Sequence, residues 1–212
     1  MGEYEKEMHI KLEKVLPAEI EKRSFEIITE ELGDTFLDPI QAPVIKRVIH
    51  TTADFDYETS LYFSPNCVEQ AREAIKRGAS IITDTNMAKA GINKRVLGKY
   101  GGEVLCFMAD EDIAKRAKEN GTTRAVASME KVSELEGEYI IAVGNAPTAL
   151  IKLKELIEEN RIKPVLIIAV PVGFVNVVEA KEIISKCNVP VIVARGRKGG
   201  SNLAAAICNG IL

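Results

Sequence analysis

Tyr139-Ile-Ile-Ala-Val143 runs directly into Gly144-Asn-Ala-Pro-Thr-Ala-Leu150: an apolar stretch, a glycine turn, then the start of a helix. The pattern recurs in Val165-Leu-Ile-Ile-Ala-Val170 followed by Pro171-Val-Gly-Phe-Val175. It returns a third time in Val189-Pro-Val-Ile-Val193 followed by Arg195-Gly-Arg-Lys-Gly-Gly-Ser201. Strands that read as unbroken apolar runs are covered on both faces, as in parallel sheets. Three strand–turn–helix units in succession therefore predict such a sheet, with its ligand cleft beyond the carboxyl ends of the strands. Backbone N–H groups in those turns, with the helix N-termini that follow, suit an anionic ligand.

Working outward, Ser80-Ile-Ile-Thr83 reads as a short buried strand and Glu103-Val-Leu-Cys-Phe-Met108 as another. Asp110 caps a charged helix to Asn120, and 122–135 reads as helical again. Toward the N-terminus, Pro17 opens a helix over 18–32, which Gly33 closes in the left-handed region. Val44, Ile45, Val48 and Ile49 form a helical stripe with His50 at its end. Pro65-Asn66 opens a helix over 67–77, ended by Gly78. The prediction is a single three-layer α/β domain spanning 1–212. Its mostly parallel sheet has about five strands, residues 1–20 form a charged lead-in, and 1–60 lie outside the sheet.

The bulk properties narrow the function. A 212-residue chain with 46% hydrophobic residues can build a full core. Its net charge of −3 and lack of tryptophan argue against a nucleic-acid binder and a base-stacking platform. No apolar signal segment opens the chain, and no stretch reaches the roughly 18 apolar residues of a membrane span. Cys67, Cys106, Cys187 and Cys208 are widely spaced, without a CxxC pair, and the only histidines are His9 and His50. Reduced thiols in a cytoplasmic protein are expected, with Cys106 in the core and no protein-bound metal.

One histidine is placed for proton chemistry. His50 sits in Arg47-Val-Ile-His-Thr-Thr-Ala-Asp-Phe-Asp56, where a helix ends among hydroxyls and carboxylates. It reads either as a general acid or base or as a surface C-capping residue. A carboxylate of Asp54 or Asp56 beside it would favour its protonated form. His9, in the lead-in, reads as solvated.

The segment 195–202 brings three cations and three glycines to a strand end, which favours an anion site over a solvated turn. It lacks P-loop spacing, and Ser201 is placed to cap the next helix. Asn145 and Thr148 can face the cleft, with Pro147 at a first helical position. Phe174 beside Gly173 can lie against a flat ligand. Asp84 and Asn86 read as helix caps. Arg124 is a candidate carboxylate clamp.

Taken together, these motifs resemble the precorrin-8X methylmutase family of cobalamin biosynthesis. The resemblance rests on Ser24-Phe-Glu-Ile-Ile28, Val44-Ile-Lys-Arg-Val-Ile-His-Thr-Thr-Ala-Asp54 and Ile81-Ile-Thr-Asp-Thr-Asn-Met87. It extends through Val143-Gly-Asn-Ala-Pro-Thr-Ala-Leu150, Pro171-Val-Gly-Phe-Val175 and Gly196-Arg-Lys-Gly-Gly-Ser201, covering about 24–212. Asn176 departs from the small residue more usual there. The resemblance implies an isomerase that moves a methyl group from ring carbon eleven to carbon twelve of precorrin-8 or its cobalt form. The implied product is hydrogenobyrinate or cobyrinate.

No cofactor is implied, since any cobalt travels in the tetrapyrrole substrate. A homodimer is implied, with its sites near the interface. His50 matches the catalytic histidine. Ser24, Arg47 and Arg124 match substrate contacts. Asn145, Thr148, Gly173, Phe174, Gly196, Lys198, Gly199 and Ser201 complete the expected substrate surface. The rival readings are a methyltransferase of the same pathway, a non-catalytic corrinoid carrier and a generic nucleotide-binding protein. The first would need an early glycine-rich turn with an acidic ribose partner, and that pattern is absent.

Overall fold

The computed structural model describes residues 13–212; His9 and most of the charged lead-in lie outside them. A turn of 3-10 helix at Pro17–Glu19 precedes α1 (Ile20–Leu32), α2 (Ala42–Thr52), α3 (Tyr57–Ser60) and β1 (Leu61–Phe63). Then come α4 (Cys67–Lys76), β2 (Ser80–Thr83), α5 (Asn86–Gly91), α6 (Lys94–Gly98) and β3 (Val104–Leu105). The rest is α7 (Glu111–Glu119), α8 (Arg124–Val132), β4 (Tyr139–Val143), α9 (Pro147–Glu158), β5 (Leu166–Ala169), α10 (Val177–Ser185), β6 (Val191–Ala194) and α11 (Ser201–Ile211).

The strands form one six-stranded sheet in the order β1-β6-β5-β4-β2-β3. All pairings are parallel except β1 with β6, in which Leu61 lies opposite Ala194. The three predicted C-terminal units are present as β4–α9, β5–α10 and β6–α11. Along each strand the apolar residues alternate between two cores. Ile140, Ala142, Ile168 and Ile192 face α2, α4 and α11. Ile141, Val143, Ile167 and Val191 face α8, α9 and α10. That division makes the three layers. Cys106 is in the buried core, as expected.

The sequence expectation falls short at several points. The sheet has six strands where about five were expected, because β1 is a three-residue edge strand too short for a periodic signal. β1 matters for the site. Being antiparallel, it brings 53–60 to the carboxyl ends of the parallel strands. β3 is shorter than 103–108, since Phe107 and Met108 leave the sheet to pack beside α8. Asp110 does not cap α7 with its side chain; its carboxylate takes Lys131 Nζ at 2.9 Å. Thr123 caps α8, so that helix begins at Arg124. Gly33 has φ +55° and ψ −130°, a positive φ outside the left-handed helical region.

Helix α2, which carries His50, is seated on α11. The face of α11 is small, with Ala204 and Ala206 buried, and a Cβ at Gly210 would lie 2.8 Å from Val44 Cα. We predict that Gly210→Ala lowers the unfolding free energy by about 1–3 kcal/mol through overpacking. Urea denaturation followed by circular dichroism checks this.

Candidate active site

Apart from Ser24 and Arg47, which lie within α1 and α2, the candidate residues lie on loops or helix ends, as at the carboxyl side of the parallel strands, where ligands of open α/β sheets bind. The sheet reverses its winding between β2 and β4. At that point stands Asp84, only 1% exposed. Its carboxylate accepts the N–H groups of Gly144, Asn145 and Ala146, each at 2.8 Å. Burial pushes the carboxyl above the ordinary carboxylate range, and the three donors pull against it. Asp84 is not the helix cap that its place after a strand suggests. Thr85 is the cap instead, accepting from Ala88 N at 3.1 Å. The 144–146 turn therefore already holds an anion, and it is an internal one. Only the side chains of Asn145 and Thr148, both exposed, remain available there.

A second buried ion was missed as well. Lys181 of α10 is 2% exposed. Its Nζ donates to the carbonyls of Gly196 and Lys198, each at 2.8 Å. Desolvation pushes its ammonium down to about 8, so it stays mostly charged at neutral pH. The sequence held a signal: Lys181 follows Val177 by four residues and precedes Ile184 by three, on the buried stripe of its helix. Lys181 also lines a cavity of about 350 Å³ with Tyr62, Val193 and Arg195. That cavity is on the α10 side of the sheet, away from His50.

The His50 cluster is built by α1 and α2. The exposed imidazole stacks on Phe25, with ring centroids 5.3 Å apart and 21° between planes. The Arg47 guanidinium lies 4.8 Å over the same ring and pairs with Glu21. That hydrogen bond holds the Glu21 carboxyl below its usual range. Ser24 is on the same helix as Phe25, with its Oγ donating to Ile20 O at 2.9 Å.

The carboxylates expected beside His50 are engaged elsewhere. Asp54 and Asp56 both receive Lys198 Nζ, at 2.7 Å each. Lys198 holds the Asp54 carboxyl down, and the two carboxylates raise the Lys198 ammonium above its ordinary value. These contacts join 53–56 to the β6–α11 loop.

That loop is set by close approaches. A Cβ on Gly199 would fall 2.2 Å from Val170 O, and one on Gly144 would lie 2.7 Å from Ser201 Cα. Ser201 does not cap α11; Gly200 precedes the helix, and Ser201 Oγ pairs with Thr85 Oγ1 at 2.7 Å. Gly196, with φ +75°, turns the loop. Gly173 donates its N–H to Arg197 O at 3.2 Å. Phe174 beside it is 84% exposed, with the Arg197 guanidinium 5.7 Å from its ring. Val172 and Val175 are exposed on the same loop. Arg124 opens α8 and is exposed; its neighbour Thr123 lies 3.4 Å from Thr148, Oγ1 to Oγ1. Among the described residues, no three His, Cys, Asp or Glu side chains form a group that could hold a metal.

The described residues thus offer one exposed imidazole, the exposed Val172, Phe174 and Val175, and the cations Arg47 and Lys198, each paired with carboxylates. The model of the family described as precorrin-8X methylmutase matches residues 19–212, and the chain belongs to that family. A cobalt-precorrin-8 methylmutase of Priestia megaterium is 44% identical, covering 93% of this chain and 88% of its own. A precorrin-8X methylmutase of a Sinorhizobium species is 36% identical, covering 91% and 92%. The solved precorrin-8X methylmutase of Thermus thermophilus superposes with a TM-score of 0.84 at 39% identity, covering 91% of this chain and 95% of its own.

We predict that Asp84→Asn lowers the unfolding free energy by about 2–4 kcal/mol, because the amide turns a donor toward N–H groups that lose a charged acceptor. Chemical denaturation of the two proteins side by side measures it.

Proposed function

We propose that the chain is a methylmutase acting on precorrin-8 or its cobalt form, moving the methyl group from ring carbon eleven to carbon twelve. What carries the reading is the family match over 19–212, which takes in every residue of the rim. The methyl group never leaves the substrate, so no methyl donor or redox cofactor enters. Cobalt, where present, belongs to the substrate.

The residues support distinct roles. His50 donates a proton or a hydrogen bond to the macrocycle as charge develops during migration. Its stacking on Phe25 fixes the imidazole plane. Arg47, Lys198 and Arg124 receive peripheral carboxylates, and Ser24, Asn145, Thr148 and Ser201 add hydrogen bonds. Phe174, with Gly173 beside it, offers a flat apolar surface to the ring. The reading extends to a cytoplasmic protein and to a homodimer, to which the exposed Val172 and Val175 offer an apolar contact for a second copy.

We predict that wild-type protein converts precorrin-8, and that His50→Ala loses about 10²–10⁴-fold in kcat while still binding the product. Absorbance assays on metal-free and cobalt-loaded rings, run in parallel, test this. Binding without conversion by wild type would favour a corrinoid carrier. Arg47→Ala is expected to raise KM, and more so at low ionic strength, because rim charges are screened over about 10 Å at 0.1 M salt. An equal rise at all salt concentrations would count against electrostatic capture.

A further inference from the structure

The β6–α11 loop has an unusual hydrogen-bond balance. Its carbonyls are engaged: Gly196 O and Lys198 O accept from Lys181, and Arg197 O accepts from Gly173. Its N–H groups are not. From Gly196 through Gly199, none has an acceptor among the described residues, whereas the flanking N–H groups of Arg195 and Gly200 bind Ser60 O and Val170 O.

The direction of two of these groups follows from covalent geometry. Across a trans peptide the carbonyl and the next N–H point in opposite directions, and no peptide here is cis. Drawing Gly196 O and Lys198 O onto Lys181 therefore turns the N–H groups of Arg197 and Gly199 away from it. We infer that Lys181 is a positioning residue of the methylmutase site: it pulls the carbonyls of the 196–198 loop inward and thereby presents the N–H groups of Arg197 and Gly199 to a substrate carboxylate.

The inference rests on the proposed function for the identity of that substrate. The contrast with Asp84 supports it. At the β4–α9 turn a buried carboxylate consumes the N–H groups. At the β6–α11 loop a buried ammonium consumes the carbonyls, leaving the face that suits an anion. A buried lysine without a carboxylate partner is costly to keep, and Lys181 has no ion pair among the described residues. A lysine placed merely to fill the α10 face would be replaceable by methionine.

The test compares wild type, Lys181→Met and Lys181→Arg. Residue-resolved amide exchange is read first, without substrate. In Lys181→Met, Arg195 and Gly200, whose amides are the hydrogen-bonded ones at the two ends of the loop, should lose protection by tenfold or more, while β4 and β5 keep theirs. With precorrin-8, KM should rise about tenfold with kcat within twofold of wild type, and Lys181→Arg should recover part of the KM. In wild type, added hydrogenobyrinate should slow exchange at Arg197 and Gly199.

Unchanged loop protection in Lys181→Met would overturn the inference whatever the activity. So would a loosened loop with KM unmoved. If both variants fail to fold, the wild-type experiment decides: no slowing at Arg197 and Gly199 under saturating hydrogenobyrinate overturns it. Wild type that neither binds hydrogenobyrinate nor converts precorrin-8 overturns the proposed function and the substrate role inferred from it. The loop-positioning part is then still judged by the exchange data.

Discussion

The site depends on one buried carboxylate. Asp84 stands where the sheet reverses its winding, and it fixes the backbone of 144–146 through three N–H groups at 2.8 Å. A carboxylate taken out of water is tolerable only when its lone pairs are filled in this way. Once that turn is fixed, Gly144 lies flat enough for Gly200 and Ser201 to press against it. The seating of Ser201 starts α11, α11 supports α2, and α2 presents Arg47 and His50. A constraint at the middle of the sheet thus reaches the imidazole through the close approach of Gly144 to Ser201 and the packing of α11 on α2.

Much of the architecture was legible because parallel strands buried on both faces leave a signal that survives without tertiary context. The runs at 139–143, 165–170 and 189–193 could be little else once each was followed by a glycine turn. β1 left no such trace. Three residues cannot establish a period, and Leu61-Tyr62-Phe63 directly follows a helical turn. The helical stripe of Val44, Ile45, Val48 and Ile49 puts His50 at a helix end, and it is there.

The roles of the charged residues were harder to read. An aspartate after a strand looks like a local cap, and the N–H groups that Asp84 binds lie sixty residues further along the chain. Asp54 and Asp56 look like partners of the histidine beside them in sequence, yet their ammonium comes from Lys198. Chemistry that depends on long-range pairing is invisible to spacing, whereas chemistry set by one helix end is visible.

The cations around the β6–α11 loop and His50 fall into two kinds, and the difference bears on binding. Lys181 is sealed in, and displacing its carbonyl partners would leave a buried charge uncompensated. Arg47 and Lys198 are paired with Glu21, Asp54 and Asp56 at the surface, where ion pairs contribute about 0–1 kcal/mol and partners exchange readily. Such pairs hold the side chains in place without holding them firmly. On the proposed function, a ring bearing many carboxylates can take over those cations at small cost, while the loop beneath keeps its shape. Asp54 and Asp56, released from Lys198, would then be carboxylates without a cation on the segment that follows His50. Firm backbone and exchangeable rim charges are both needed to capture a polyanion and then position it against one imidazole.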